Sequence, residues 1–372
     1  MSGHDMGSVV HVTTAHSPRD NRILRKECRT LSESGYRVSL IAPSDRPFDE
    51  FGVSSIPIPV REGRIRRMAL GPASAYRALW TLSPSVVHVH DPELIPFLFA
   101  CRLLPSRPRL VFDAHEDLAK QVSSKPYIRR ELRSTVSLLA RGLTRAVGKI
   151  ADLVVAATPS IAADFPQSKT VLVQNFPWLE DFPVEAPGPI PEFTLSFVGG
   201  LNEVRGGAQL LEALCLADSS PSCVMAGPIS PRIKGPAISA PNFRYLGILT
   251  AEEVVSVIRD ARAGIVCFLP EPNHLASQPT KLFEYMAAGR AVICSDFALW
   301  RELLEPFKCA MFVDPLDPVA IANAIDFIAR NEDEVMEMGR NARRAFESNY
   351  AFENEANTLV FAYERLLARE SV

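Results

Sequence analysis

The sequence predicts an α/β protein built from two doubly wound, Rossmann-like domains with parallel sheets. The chain has 372 residues, of which 47% are hydrophobic and 22% are charged, a composition typical of a globular protein. Short apolar runs alternate with helical patterns along both halves, and a proline-rich segment separates the halves. At about 150 residues per domain, two domains fit this length and this rhythm.

The first half shows a βαβ rhythm. Its strand-like runs are apolar at successive positions, which indicates strands buried on both faces, as in a parallel sheet covered by helices. Gly35 follows the helical stretch 21–34 at the place of a left-handed C-cap, directly before a strand. The predicted strands are Val9–Thr13, Arg37–Ile41, Val86–His90, Arg109–Asp113, Leu153–Ala156 and Thr170–Val173.

The second half repeats this rhythm after the proline-rich segment. Prolines remove backbone donors and favour extended chain, so the linker is placed there. The predicted strands are Thr194–Val198, Ser222–Ala226, Phe243–Leu246, Gly264–Phe268, Ala291–Ser295 and Met311–Val313, and the chain from Pro318 onward is helical by its period.

These patterns set the expected domain boundaries. We expect a first Rossmann-like domain over 1–176, a linker over 177–193, a second Rossmann-like domain over 194–350 and a terminal helix over 351–372 that can pack back on the first domain. The two domains should face a cleft at the carboxyl ends of their sheets, where open parallel sheets bind ligands.

Composition also narrows the class of protein. The seven cysteines are scattered without a C-x-x-C pair, which indicates reduced core thiols. No apolar stretch reaches the roughly 18 residues of a membrane helix. The first residues are polar and acidic, unlike a signal peptide. The sequence therefore predicts a cytoplasmic protein.

The net charge of −3 hides an asymmetry between the halves. Residues 1–186 contain 24 Lys+Arg against 19 Asp+Glu, and the remainder contains 16 against 24, so the halves carry +5 and −8. Basic residues concentrate at 61–67 and along 125–149. They are either a solvated face, which we favour, or a peripheral contact with an anionic inner membrane face. We expect no nucleic-acid partner.

The stretch Pro279–Asp296 is the most informative part of the second half. Pro279 precedes a helix predicted from Thr280 to Ala288, with Gly289 after its end. A helix N-terminus favours an anion, and Lys281 adds a full charge in the first turn. Glu284, one turn on, can accept hydrogen bonds from the two hydroxyls of a ribose. An ordinary amphipathic helix with solvated Lys281 and Glu284 is the alternative.

Two further turns of the second half are candidates. Gly199 and Gly200 follow a strand, and glycines allow a phosphate to approach backbone N–H groups, with Arg205 as the neutralising charge. Gly247 and Leu249 precede a capping box and can frame a nucleobase. The alternatives are a tight turn with a solvated arginine and an ordinary β-to-α turn.

In the first half, polar residues follow predicted strands. The cleft candidates are His88, His90, Asp91, His115, Glu116 and Asp117, with His16, Arg19, Asp20 and Arg22 in the first turn. The first-turn residues contact an acceptor or phosphate, or they are caps and surface ion pairs. A metal cluster is disfavoured because His88-x-His90 lacks a third ligand in clear register.

Taken in order, these segments resemble the retaining GT-B glycosyltransferases of family four. The resemblance rests on RDNRILRKE, VHVHDPEL, FDAHED, VGG and KLFEYMAAG, and it covers nearly the whole chain. It implies that Glu284 binds the donor ribose, that Arg205 and Lys281 neutralise the diphosphate, and that His115 touches the donor sugar. Pro279, Thr280 and Leu282 join the donor site as the start of its helix. Where the family commonly has an earlier Glu this chain has Ala276, which leaves Glu271 or Asn273 for the sugar.

The resemblance implies transfer of a sugar from a nucleoside-diphosphate sugar with retained configuration, without a metal or another cofactor. The acceptor is a glycan, a lipid-linked glycan or a small molecule. Two alternatives stay open: a GT-B epimerase or hydrolase that needs no acceptor, and a noncatalytic relative, which Ala276 would explain.

Overall fold

The structure, a computed structural model, describes residues 6–61, 63–115, 138, 142–183, 193–240 and 242–368. The chain forms two compact units. One comprises Met1–Asn175 with Asn354–Val372, and the other comprises Phe176–Glu353. Each unit contains one sheet flanked by helices, so the predicted α/β class with two parallel sheets is confirmed.

The first unit contains an eight-stranded sheet in the order β3-β4-β2-β1-β5-β6-β7-β8. All neighbouring strands pair in parallel except the short β3, which is antiparallel to β4. The strands are β1 (Ser8–Val12), β2 (Arg37–Pro43), β3 (Asp49–Glu50), β4 (Val53–Ile58), β5 (Val86–Val89), β6 (Arg109–Ala114), β7 (Leu153–Ala156) and β8 (Thr170–Leu172).

Helices connect these strands in the expected rhythm. A π-helical segment, Asn21–Cys28, continues into the α-helix Arg29–Glu33. The other helices are the α-helices Arg64–Leu82, Ile95–Cys101 and Pro159–Ala162, the helical residues 142–150, and the 3-10 turns Pro92–Leu94 and Gln167–Lys169.

The last helix, Phe352–Ala368, belongs to the first unit from Asn354 onward. Tyr363 anchors it there, because the Tyr363 hydroxyl lies 2.8 Å from His88 Nδ1 and the ring is fully buried. The C-terminal helix therefore completes the core of the unit that begins the chain.

The second unit contains a six-stranded, wholly parallel sheet in the order β11-β10-β9-β12-β13-β14. Its strands are β9 (Phe193–Val198), β10 (Cys223–Ala226), β11 (Phe243–Tyr245), β12 (Ala261–Val266), β13 (Ala291–Ser295) and β14 (Ala310–Val313). Each of the twelve predicted strands overlaps one of the observed strands.

The helices of the second unit cover both faces of that sheet and continue into the helical tail. The α-helices are Gly207–Leu216, Pro231–Ser239, Ala251–Arg259, Pro272–Leu275, Thr280–Ala287, Ala298–Leu304, Pro318–Arg330 and Glu332–Ala345. The shorter turns are the 3-10 segments Glu203–Arg205 and Glu305–Phe307 and the π-helical Phe346–Tyr350.

Phe176 and the described part of the expected linker belong to the second unit. The Phe176 ring lies 4.6 Å from the Phe283 ring and 5.2 Å from the Tyr350 ring, and the Trp178 ring lies 4.7 Å from the Phe352 ring. Phe176 and Trp178 are buried by these contacts, so this part of the chain belongs to the core of the second unit. The remainder of the expected linker lies outside the described residues.

Two further expectations concern cysteines and membranes. All seven cysteines are free, and all but Cys215 are buried, as predicted for core thiols. Within the described part of the chain, none of the helices combines the length and apolar character that crossing a membrane requires.

Candidate active site

The glycine-rich turn after β9 brings backbones into close contact in the second unit. Gly199 has φ +120°, and a Cβ on Gly227 would lie 2.3 Å from the Gly199 carbonyl oxygen. Gly206 has φ +74°, and a Cβ there would lie 2.1 Å from the Cys267 carbonyl oxygen. A side chain at Gly206 or Gly227 would push these segments apart, so the glycines fix the shape of the turn.

Arg205 folds back over this turn. Asn202 caps the short Glu203–Arg205 segment by accepting a 3.0 Å hydrogen bond from the Arg205 amide. The guanidinium donates to the Gly200 carbonyl at 3.2 Å and lies 5.3 Å from the centre of the Phe268 ring. Arg205 is therefore half-buried, unlike the solvated side chain of the alternative interpretation, and burial lowers the pKa of Arg205 from its usual value.

The helix Thr280–Ala287 begins beside the same turn. Pro279 stands at its N-cap and no side chain caps its first N–H groups, so they remain suited to an anion. A Cβ built on Gly199 would lie 3.7 Å from Arg205 Nη1 and 3.9 Å from Lys281 Cε. Two cationic side chains thus converge over Gly199.

Glu284 lies in this helix next to Lys281. The Lys281 ammonium donates to Glu284 Oε2 at 2.6 Å, and both side chains are partly exposed. The structure therefore brings together the two side chains that the sequence predicts for diphosphate and ribose.

Tyr285 ties the helix to β9, a role that the sequence analysis did not recognise. Its buried hydroxyl donates to the Ser196 carbonyl at 2.9 Å and accepts from the Val198 amide at 3.1 Å. The Tyr285 ring packs directly against Gly264, and a Cβ on Gly264 would lie 2.2 Å from atoms of that ring. A glycine inside β12 facing an aromatic residue was the available signal.

The other predicted donor residues lie in neighbouring loops. Gly247 has φ +80° and its carbonyl accepts from the Gly227 amide at 2.6 Å, while Leu249 is half-buried. The predicted capping box of Thr250 with Glu253 is confirmed. Asn273 is exposed in the short helix Pro272–Leu275, and its place at the sugar stays a prediction.

In the first unit, His115 lies at the end of β6 with a carboxylate behind it. His115 Nδ1 is 2.8 Å from Asp113 Oδ2, and the Nε2 atoms of His115 and His16 are 3.3 Å apart. His16 also lies 3.4 Å from Asp91 and 3.7 Å from Asp20. The structure thus joins His115 and His16, two of the predicted candidates.

Asp113 is fully buried and holds several groups at once. Arg22 Nη2 donates to Asp113 Oδ1 at 2.7 Å, and His90 Nδ1 lies 3.1 Å from Asp113 Oδ2. Burial by itself raises the pKa of Asp113, but the Arg22 and His115 charges outweigh it and hold that pKa well below the usual value. An ionised Asp113 favours the His115 tautomer that carries its proton on Nδ1.

Other first-half candidates have structural partners. Asp91 is buried and accepts from Thr13 Oγ1 and the Ala15 amide, both at 3.1 Å, so it braces the turn after β1. Asp20 caps the segment Asn21–Cys28. Arg19 Nε donates to Glu50 at 2.7 Å on the surface. Asp20 is thus a helix cap and Arg19 forms a surface ion pair, as the alternative interpretation of the first turn expected.

Some candidates fall elsewhere. His90 is fully buried, so the structure places it behind His115 and Asp113 rather than at the surface. Glu116, Asp117 and most of the basic positions along 125–149 lie outside the described residues. Arg145 and Lys149 are described and exposed.

The sequence analysis expected His88 and His90 to have no third possible metal ligand in register with them, and this expectation is wrong. His11 on β1 pairs in register with His88 on β5, and Glu27 lies beside them, so His11, Glu27, His88 and His90 form one buried group. The signal was the third histidine at the same level of the neighbouring parallel strand, which a single-strand pattern does not reveal.

Two Rossmann-like units, one with a glycine turn, a basic pair and an uncapped helix start, define a nucleotide-sugar enzyme of the GT-B class. Residues 21–175 match the model of Glycosyltransferase Family 4, and residues 192–331 match that of Glycosyl transferases group 1. The chain belongs to the family-four glycosyltransferases. The resemblance, the GT-B fold and the enzyme class predicted from the sequence are confirmed.

Curated relatives agree with this assignment. The chain is 26% identical to the phosphatidyl-myo-inositol mannosyltransferase of Mycolicibacterium smegmatis over 338 residues, which cover 84% of this chain and 81% of that protein. It is 27% identical to the D-rhamnosyltransferase WbpZ of Pseudomonas aeruginosa over 161 residues, 42% of this chain and 41% of WbpZ. The chain thus spans less than half the length of WbpZ.

Solved structures share the fold. Sucrose-phosphate synthase from Thermosynechococcus elongatus superposes with a TM-score of 0.78 at 18% identity, covering 97% of this chain and 99% of the other. Anabaena Alr3699/HepE in complex with UDP-glucose gives a TM-score of 0.72 at 11% identity, covering 96% and 100%.

Proposed function

We propose that the protein transfers a sugar from a nucleoside-diphosphate sugar to an acceptor hydroxyl with retention of configuration and without a metal at the diphosphate. The convergence of Arg205 and Lys281 over Gly199 carries the proposal. Two full charges and a helix N-terminus can stabilise the negative charge that develops on a leaving diphosphate.

In the proposed donor complex, the diphosphate lies over Gly199 and Glu284 accepts hydrogen bonds from the ribose. Lys281 then contacts the diphosphate and Glu284 contacts the ribose, and these two contacts replace the 2.6 Å contact between Lys281 and Glu284. UDP in one solved HepE complex and UDP-glucose in another support a nucleotide-sugar donor for a chain of this fold.

In the first unit, the proposed catalytic residue is His115. Its Nδ1 donates to Asp113, so its Nε2 carries the lone pair that a sugar hydroxyl can reach. His16 Nε2 lies 3.3 Å from that atom, and His16 is proposed to contact the same substrate or the acceptor.

The acceptor is proposed to be a glycan, a lipid-linked glycan or a small molecule. The names of the mannosyltransferase and rhamnosyltransferase relatives support a sugar-modifying role. Transfer, rather than hydrolysis or isomerisation of the donor, is favoured because both curated relatives are transferases.

The test is incubation of the protein with a panel of UDP-, GDP-, ADP- and dTDP-sugars and a cell extract, with product masses read by mass spectrometry. A sugar-sized mass increase on an acceptor, with the donor's anomeric configuration by NMR, supports the proposal. Donor consumption without an acceptor product identifies a hydrolase or epimerase, and donor binding without turnover identifies a noncatalytic relative.

A further inference from the structure

Four fully buried side chains meet in the core of the first unit, away from its solvent-accessible groups. His11 comes from β1, His88 and His90 come from β5, and Glu27 comes from the segment Asn21–Cys28. One nitrogen or oxygen atom from each of the four lies within 4.8 Å of the other three. We call His11, Glu27, His88 and His90 the core histidine cluster.

Four polar atoms of this cluster lack hydrogen-bond partners. They are His11 Nε2, His88 Nε2 and both carboxylate oxygens of Glu27. Arg22 Nε forms an ion pair with Glu27 Oε1 at 3.1 Å, which leaves Oε2 directed at His88 Nε2, 3.6 Å away. Buried polar atoms without partners are rare, so several at one point require an occupant or a shared proton.

The opposite nitrogen of each of these histidines does have a partner. His11 Nδ1 lies 2.9 Å from His90 Nε2, and His88 Nδ1 lies 2.8 Å from the Tyr363 hydroxyl. His90 Nδ1 in turn lies 3.1 Å from Asp113 Oδ2. A proton on His90 Nδ1 leaves His90 Nε2 to accept from His11 Nδ1, and His11 Nε2 then keeps its lone pair.

We propose that His11 Nε2, His88 Nε2 and the Glu27 carboxylate bind one divalent transition-metal ion, with Zn²⁺ as the best match. Two imidazoles and a carboxylate are a common ligand set for Zn²⁺. The 3.6 Å between Glu27 Oε2 and His88 Nε2 is close to the roughly 3.3 Å that separates tetrahedral ligands with bonds of about 2.0 Å. Metal-bound histidines generally donate their other N–H to a polar group, as His11 and His88 can.

Carboxylates lie around the core histidine cluster. Those of Asp20, Asp91 and Asp113 act on its members, and Arg22 and Lys26 offset part of their negative charge. Full burial also favours the neutral imidazole that a metal requires. The ion stabilises the first unit by tying β1, β5 and the first helical segment together, and the proposal does not depend on the proposed transfer reaction.

The test uses the full chain without a polyhistidine tag. Protein is refolded from denaturant with chelator, and one portion receives one equivalent of Zn²⁺ and another Co²⁺. We expect about one Zn²⁺ per chain by elemental analysis after dialysis, a higher melting temperature than the metal-free portion, and the visible absorption of four-coordinate Co²⁺.

Variants then assign the ligands. Glu27→Gln and His88→Gln should each lose the ion and the Co²⁺ absorption, whereas His274→Gln, in the second unit, should keep both. Glu27→Gln is the sharper variant because its amide keeps the size of the carboxylate but is a poor metal ligand. A failure of either variant to fold leaves the wild-type stoichiometry and Co²⁺ spectrum to decide.

Two results would overturn the proposal. The first is a wild-type protein that binds no stoichiometric Zn²⁺ or Co²⁺ and whose melting temperature does not respond to either ion. The second is a bound ion that persists in both Glu27→Gln and His88→Gln.

Discussion

Lys281 Nζ lies 2.6 Å from Glu284 Oε2 at the start of the helix Thr280–Ala287, so the two side chains proposed to bind the donor first bind each other. They are one turn apart and partly exposed, and such a contact exchanges readily for a ligand. The pair therefore holds both groups near Gly199, and the proposed donor complex separates them between diphosphate and ribose.

Replacing Glu284 by alanine should weaken nucleoside diphosphate binding by about 2–3 kcal/mol, because a carboxylate that accepts from two hydroxyls is lost. The fold should persist, since Glu284 is partly exposed. Isothermal titration calorimetry measures the change. Pyrophosphate, which lacks a ribose, should bind as well as before, because Lys281 is then free. Glu212→Ala on an exposed helix position is the control, and unchanged nucleotide affinity in folded Glu284→Ala removes Glu284 from the site.

His115→Ala should lower kcat by about a hundredfold or more while changing the donor KM little, because a group that acts mainly in the transition state affects kcat. Steady-state kinetics with the donor varied separates the two constants. If His115 serves only the fold, the melting temperature will drop instead, and activity per folded molecule will persist.

The buried pair of Asp113 and Arg22 predicts a pH-dependent term in stability. The pKa of Asp113 is held well below its usual value near 3.8, so its contribution is complete above that value and is lost as pH falls through the lower folded-state pKa. Asp113→Asn should cost about 3–5 kcal/mol at pH 7, because it leaves a buried arginine without its counterion.

Denaturant unfolding of wild type and Asp113→Asn across pH 7 to 3.5 measures this term. The difference in the free energy of unfolding should stay constant above about pH 5 and begin to shrink below about pH 4.5. A difference that is constant down to pH 3.5, or that grows, contradicts the ionised Asp113.

Tyr285→Phe should destabilise the second unit by about 1–3 kcal/mol, because it leaves the Ser196 carbonyl and the Val198 amide without their buried partner. Thermal unfolding of the variant measures the loss. Tyr245→Phe at the end of β11 is the matched control and should change the melting temperature much less. Equal losses in the two variants would show that the Tyr285 hydroxyl has no special role.

The strands were predictable because each buried parallel strand is a run of consecutive apolar residues. β4 escaped this signal, since Val53–Ile58 alternates exposed and buried positions and contains Pro57. The linker expectation used the prolines of 177–193 but not the aromatic residues among them, and Trp178 and Phe182 are buried. Composition alone does not show whether a segment rich in both proline and aromatic residues forms an exposed linker or packs into a core.

The proposed donor site could be assembled from the sequence where its residues are contiguous, as at Pro279 to Glu284. The convergence of Arg205 with Lys281 over Gly199 joins segments far apart in the chain, and only the family resemblance linked them. The core histidine cluster was missed because it depends on strand order: β1 lies beside β5, which sets His11 level with His88.

The final prediction concerns how the diphosphate is neutralised. The chain contains no D-x-D pair, the motif with which sugar transferases of the other main architecture hold Mg²⁺ or Mn²⁺. Arg205, Lys281 and the first N–H groups of the helix Thr280–Ala287 supply two formal charges and a partial one, comparable to a divalent ion. Transfer should therefore proceed fully in excess EDTA. The double variant Arg205→Ala and Lys281→Ala should lower kcat/KM by at least about a thousandfold if each charge contributes about 2 kcal/mol or more.

The control is the double variant Arg232→Ala and Lys234→Ala, which removes two charges from another helix of the same unit and should leave the rate unchanged. Loss of activity in EDTA with recovery in Mg²⁺ or Mn²⁺ would show that a metal, not this basic pair, holds the diphosphate, whereas recovery only in Zn²⁺ would point to the core histidine cluster and the stability of the first unit.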